Sequence, residues 1–457
     1  MTSAALPKAS GPRHLLPEEI FYLAFEGGGG KGLAFLGALQ VLEERGVLKQ
    51  VKGVSGSSAG AITALMVSLG LTTKEIEEQI TNKVAKEQIT KPVDFNSFFD
   101  LPHPRLIPQV CPSTSCDYEP RDNNGPEESL LVAYLDPKTV KDVIHSMKQG
   151  DNFLDAYQSL IFSSLTKGMD TEAILSSWIE GIDPPLSTLA AYWAPYLVYL
   201  NRDMGFFSGR AMRLYLDELI SKRAAKLEGG KPADYANMSF ERHKKIFKRE
   251  LLVCGANFST GKTELFSARP EHTQYFPVAD AIRISAGVPI AFKPYVIKKK
   301  IPGWPPCGTY VDGGYWNNLP LREIEPQAAP APQKSPTSAI LATATQERHV
   351  LALRLGIDEP QVVENIYDIA LRMIEGLQGS GESQVLREFK HLTVSLDTRD
   401  LSLFKFTVDE PIRKKVTKRS RRRMREYFGD IILPKDEDYD KEDDLKTKNL
   451  DKLTACE

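Results

Sequence analysis

The sequence carries no metal or redox signature. Its five cysteines, Cys111, Cys116, Cys254, Cys307 and Cys456, are odd in number and include no C-x-x-C pair. Cys111 and Cys116 are the only close pair. They read as two free thiols in a proline-rich loop, with a disulfide as the other reading, and the set suggests a reducing compartment. There is no H-E-x-x-H. His14, His103, His145, His243 and His272 lack metal-ligand spacing and read as surface or structural. Long apolar runs are missing too: none approaches the ~20 residues of a membrane span, and the nearest, Leu189 to Leu200, is short and holds Pro195. The first twenty residues contain Pro7, Pro12 and Pro17 and no apolar core of a Sec signal. A cytoplasmic location is expected, with export by a dedicated secretion machine left open. Nor does one charge sign dominate. Lys plus Arg is 58 and Asp plus Glu is 60, a net charge of -2. No global field gathers nucleic acid, and no nucleic-acid partner is expected.

What is present is an alternation of strands and helices. Phe21 to Phe25 is a short apolar run ending at Glu26 and four glycines, and it reads as a buried strand. A helical pattern follows from Leu33 to Leu42 and stops at Gly46. Val51 to Ser55 is a second strand, and a second helix stops at Gly70. This β–glycine loop–α–β–sharp turn–α order opens an α/β fold with a mainly parallel sheet. Further strands are expected at Leu251–Ala256, Leu265–Phe266, Tyr310–Val311 and Val350–Leu355, and an amphipathic helix at Val363–Leu377. Residues 84–202 read as a helical, proline-rich insertion and a candidate lid. The organisation is a 1–19 tail, a 20–430 catalytic domain and a charged 431–457 tail.

Three stretches carry chemistry. Gly56-Ser57-Ser58-Ala59-Gly60 fits G-x-S-x-G between a strand and a helix, a turn that lifts the Ser58 hydroxyl off the sheet. The following helix aims its dipole and the Ala59 N–H at developing negative charge. Gly27-Gly28-Gly29-Gly30-Lys31-Gly32 joins the first strand to its helix, and its amides can face an anion. It is either an oxyanion loop or a dinucleotide fingerprint. The fingerprint requires a carboxylate at the end of the second strand, and Ser55, Gly56 and Ser57 stand there instead. Asp312-Gly313-Gly314 follows a short strand. It is either a hairpin turn or a close carboxylate base for a serine.

In order and context the three resemble the patatin-like phospholipase family: G-G-G-x-[KR]-G after the first strand, G-x-S-x-G about thirty residues on, and D-G-[GA] late in the chain. Ala281 to Phe292 is similar to the segment that precedes the family's aspartate, and Gly205 to Gly209 to another family stretch. The likeness covers roughly 20–80 and 203–430 and fails between about Lys83 and Arg202. It implies a layered α/β/α fold with a nucleophile elbow and a helical insertion. It also implies Ser58 as nucleophile, Asp312 as its partner without histidine, an oxyanion site at the glycine loop, an ester lipid as substrate, and no metal or organic cofactor. A peripheral membrane surface is a further candidate partner, while oligomeric state is not legible.

Alternatives stay open at this level: a Ser–Asp–His triad using His349 or His391, a dinucleotide-binding oxidoreductase, and a non-catalytic scaffold of the same fold. A carboxylate base starts near 3.9 and histidine near 6.5. A dyad enzyme is therefore expected to work further into mildly acidic pH, unless burial raises its aspartate. Gly261-Lys262-Thr263 imitates the end of a Walker A loop, but Ala256 stands where its first glycine belongs, so a hairpin turn is expected. Arg413 to Arg425 holds nine basic residues of thirteen. Ile412, Val416, Met424 and Phe428 fall on one stripe, so a domain helix with a solvated basic face is expected. Such a face could also meet an anionic lipid surface.

Overall fold

The computed structural model describes residues 13–80, 98, 203–269, 273–325, 349–356, 388–403 and 408–430. The 84–202 insertion, Cys111, Cys116, Cys456, the 189–200 run, the 363–377 helix, most of the 1–19 tail and the 431–457 tail lie outside them.

The strands are β1 (Tyr22–Phe25), β2 (Gly53–Gly56), β3 (Gly205–Phe207), β4 (Glu250–Asn257), β5 (Lys262–Phe266), β6 (Ile290–Phe292), β7 (Tyr295–Ile297), β8 (Gly308–Asp312), β9 (Val350–Leu355) and β10 (Thr393–Leu396). The main sheet runs β10-β9-β1-β2-β4-β8-β7, with β5 on β4; β3 and β6 pair separately. The five strands from β10 to β4 are parallel, and β8, β7 and β5 add an antiparallel edge. Parallel strands are covered on both faces, so they read as continuous apolar runs. Accordingly β4 is buried over its whole length and β9 over all but Arg354. The turn at Thr260-Gly261 joins β4 to β5 as an antiparallel hairpin, as its residue types suggested.

The main helices are α1 (Phe35–Glu44), α2 (Ala59–Ser68), α3 (Arg210–Glu228), α4 (Val278–Ser285) and α5 (Glu410–Tyr427). The glycine loop is wound into a 3-10 turn over Gly29–Ala34 before α1 begins. Helix α5 is the expected basic helix. Val416, Ser420 and Met424 are buried along one stripe, with Ile412 and Phe428 packed at its ends. Part of its charge is used inside the molecule: Arg421 reaches Glu44 at 2.6 Å and Arg419 reaches Asp397 at 3.1 Å.

Helices α1 and α5 meet through small residues. A Cβ on Gly37 would lie 2.2 Å from the Thr417 carbonyl oxygen and 2.8 Å from the Ser420 Cβ. Gly37→Ala is therefore expected to lower unfolding stability by about 1–3 kcal/mol through overpacking. An unchanged thermal midpoint would refute this close seam.

β1 lies between the next strand of the chain, β2, on one side and the late strand β9 on the other, so the strand order reverses direction there. In parallel sheets the crevice at such a point, beyond the carboxyl ends of the strands, is where ligands bind. The glycine loop leaves β1 there, and Ser58 follows β2 at the same end.

Candidate active site

Ser58 sits on a backbone turn that few residue types could share. Its φ of 52° and ψ of -124° lie in a region that non-glycine residues rarely occupy. The turn folds backbone onto backbone. A Cβ on Gly56 would stand 2.3 Å from the Gly60 oxygen, and one on Gly60 would stand 2.4 Å from the Phe25 oxygen. Both glycines of G-x-S-x-G are thus required by sterics, whatever the serine does.

The last turn of α4 and the residues after it hold both members of the expected pair. The Ser58 N–H donates to the buried Ser285 hydroxyl at 3.0 Å, and the Asp312 N–H donates to the Gly287 oxygen at 2.9 Å. Removing the Ser285 hydroxyl would leave a buried N–H without an acceptor. Ser285→Ala should cost about 1–3 kcal/mol of stability, which urea unfolding would measure.

Asp312 ends β8 with no exposed surface. Its Oδ1 accepts the Gly314 N–H at 2.7 Å. Gly313 has no space for a side chain, because a Cβ would lie 2.1 Å from the Cys254 oxygen. Burial pushes the Asp312 carboxyl up from 3.8 to about 7. The Gly314 N–H and then the Ser58 hydroxyl act in the opposite direction as hydrogen-bond donors. The structure thus brings Ser58 and Asp312 together. Oδ2 is buried with no hydrogen-bond partner of its own, and a serine and its base need not be tightly hydrogen-bonded before the reaction to act as a pair. Burial of Asp312 is the condition under which activity further into mildly acidic pH is not expected.

The amides of the glycine loop are only partly engaged by the fold. The Gly27 N–H donates to the Asn318 oxygen at 3.1 Å, the Gly30 N–H to the Leu403 oxygen at 3.0 Å and the Lys31 N–H to the Gly28 oxygen at 3.0 Å. Among the described residues the Gly28 and Gly29 amides have no backbone acceptor. Gly29 has a φ of 51°, and a Cβ there would lie 2.1 Å from the Leu403 oxygen. Gly32 packs against Ala59, whose Cβ is 3.2 Å from the position a Gly32 Cβ would take. Loop and elbow are therefore in direct contact, and the Ala59 N–H opens α2 beside them.

No described histidine takes part. The His349 Nδ1 lies 3.0 Å from the Glu19 oxygen, and His349 directly precedes β9. His391 precedes β10. Both stand at the amino ends of parallel strands, one strand length from Ser58, so the triad reading fails on geometry. His243 is buried behind Ser68, and burial pushes it down to about 3. Among the described residues no cluster of three or more histidine, cysteine, aspartate or glutamate side chains could hold a metal ion. No described helix is long and apolar enough to cross a membrane.

Residues 23–324 match the family model of patatin-like phospholipases. The chain belongs to the patatin-like phospholipase family. With the mostly parallel sheet and its serine turn, this gives the protein the patatin fold. The match stops at residue 324, although β9 and β10 of this patatin-like chain complete the sheet and β9 and α5 touch the glycine loop. Among curated relatives, the uncharacterised protein YqhO of Bacillus subtilis is 52% identical over 56 residues, 12% of this chain and 19% of YqhO. Among solved structures, VipD of Legionella pneumophila aligns with a TM-score of 0.41 and 16% identity, over 90% of this chain and 67% of VipD. ExoU of Pseudomonas aeruginosa, solved with SpcU, aligns with a TM-score of 0.37 and 16% identity, over 90% of this chain and 51% of that one.

Three residues of the patatin-like site were not singled out by sequence motif: Ser285 under the nucleophile, Leu403 over the loop, and Asn318. Of these, only Ser285 lay in a stretch noted for its likeness to the family.

Proposed function

We propose that the protein is a lipid acyl hydrolase of phospholipase A type that cleaves carboxylic esters of glycerolipids through an acyl-enzyme. The observation that carries this reading is the juxtaposition of Ser58, on its strained turn, with the fully buried Asp312 carboxyl. Family membership supports the lipid substrate.

In this mechanism the Asp312 carboxylate takes the Ser58 proton as the oxygen attacks the ester carbonyl. The Gly28 and Gly29 amides, helped by the Ala59 N–H, receive the negative charge of the tetrahedral intermediate. One such donor is typically worth about 3–4 kcal/mol. The protonated carboxyl then gives its proton to the departing alcohol. Water repeats the sequence on the acyl-Ser58 ester, releasing fatty acid and regenerating the serine. The dry surroundings of Asp312 make the carboxylate a stronger base than an exposed one, which favours proton transfer from the hydroxyl.

The test is hydrolysis of short-chain esters and of phospholipid vesicles, together with a fluorophosphonate probe and mapping of the labelled peptide. The reading requires turnover of at least one ester class and a label on Ser58. Label on another residue, or no turnover and no label, would end it.

A further inference from the structure

We propose that Asn318 is a positioning residue that sets the glycine loop against the Asp312 turn. The proposal rests on the reading of Ser58 and Asp312 as the reacting pair. Asn318 lies six residues beyond Asp312 and is 6% exposed. It clasps Gly27 from both sides of the peptide. The Gly27 N–H donates to the Asn318 backbone oxygen at 3.1 Å, and the Asn318 side-chain Nδ2 donates back to the Gly27 oxygen at 3.3 Å. Two distant segments, the loop after β1 and the turn after β8, are thereby joined by one residue.

The other end of the same amide is placed among the reacting groups. Asn318 Oδ1 is buried without a hydrogen-bond partner. It would lie 2.3 Å from a Cβ on Gly27 and 2.5 Å from a Cβ on Gly314. At the first of these points the Ser58 Cβ is 3.0 Å away; at the second, Asp312 Oδ1 is 3.1 Å away. The Asn318 amide is therefore wedged between the two glycines, with the serine on one side and the carboxyl on the other. An orphaned buried acceptor is unfavourable and calls for an explanation. A planar amide held at one end by Gly27 and at the other by glycine Cα atoms fixes the separation of loop and base.

The roles of Asn318 in folding and in positioning separate experimentally. In Asn318→Ala the Nδ2 link to Gly27 is gone while the backbone link remains. The kcat for a short-chain p-nitrophenyl ester is expected to fall about 10- to 100-fold with KM within about twofold, because a small displacement of the donors acts on the transition state. Asn318→Asp is nearly isosteric but places a second carboxyl beside Asp312. Two neighbouring carboxyls cannot both ionise readily, so the acid limb of the kcat profile should move upward by about one pH unit. A residue remote from Asp312 would not move that limb, and because an aspartate cannot donate to the Gly27 oxygen the plateau kcat should fall as well, so the isosteric variant decides the matter if the alanine variant melts too low to assay. An active wild type with unchanged kcat in Asn318→Ala, or an unmoved limb in Asn318→Asp, overturns this proposal alone. A wild type with neither turnover nor label on Ser58 overturns the hydrolase reading, and this one with it.

Discussion

Replacing Ser58 by alanine is expected to lower ester hydrolysis by about 10⁴- to 10⁶-fold, and replacing Asp312 by asparagine by about 10⁴-fold. The two losses should not add in the double variant, because a nucleophile without its base and a base without its nucleophile are stalled at the same step. Ser58→Ala should remain folded: a small residue follows the same turn, and the turn itself is shaped by Gly56 and Gly60 against the backbone of Gly60 and Phe25. Fluorophosphonate labelling should vanish in Ser58→Ala and slow in Asp312→Asn. Equal turnover in wild type and both variants would sink the dyad.

The second large effect is on pH dependence, where activity and stability move in opposite directions. A carboxyl pushed from 3.8 to about 7 must lose its proton before it can serve as a base. Hydrolysis should therefore fall about tenfold per pH unit below that value. A histidine base would place the limb in the same range, so the limb alone does not identify the base. The discriminating result is that it stays in place when His349 and His391 are replaced. For stability, the folded carboxyl holds its proton more tightly than the unfolded chain. Its contribution is fully present below about 3.8 and is lost as pH rises through about 7. Above that pH the folded protein must keep a desolvated charge. Asp312→Asn removes the charge and keeps the shape, so the inactive variant should be more stable than wild type by roughly 2–4 kcal/mol at pH 8. The two should converge below pH ~4. Urea unfolding at the two pH values checks this, and equal stability at pH 8 would mean that Asp312 is not held in a dry site.

The elbow and the aspartate turn were legible because close backbone contact forces small residues into a short window of sequence. Gly56, Gly60 and Gly313 each face a backbone oxygen that a side chain would strike. The first strands and helices were legible from periodicity, with ends shifted by one to three residues where the 3-10 turn at Gly29–Ala34 replaced the expected helix start. What sequence could not supply was anything depending on the meeting of distant segments. The Ser285 hydroxyl beneath Ser58, the Leu403 oxygen on the Gly30 amide and the Asn318 amide between two glycines are all products of folding. Whether the Asp312 carboxyl is buried, the condition on its pH range, was illegible for the same reason, since its surroundings include Gly287 and strands distant in the chain.

The stretch after residue 324 carries a practical lesson. β9 supplies one of the two hydrogen-bonded flanks of β1, the Leu355 N–H is held by the Glu26 carboxylate, and the Leu403 carbonyl closes on the loop. A recombinant fragment trimmed to the span that the family model recognises would strip the glycine loop of its ceiling and bare the flank of its central strand. Expression boundaries, chimeras and homologue swaps should therefore run through Asp430, with α5 inherited along with the nucleophile.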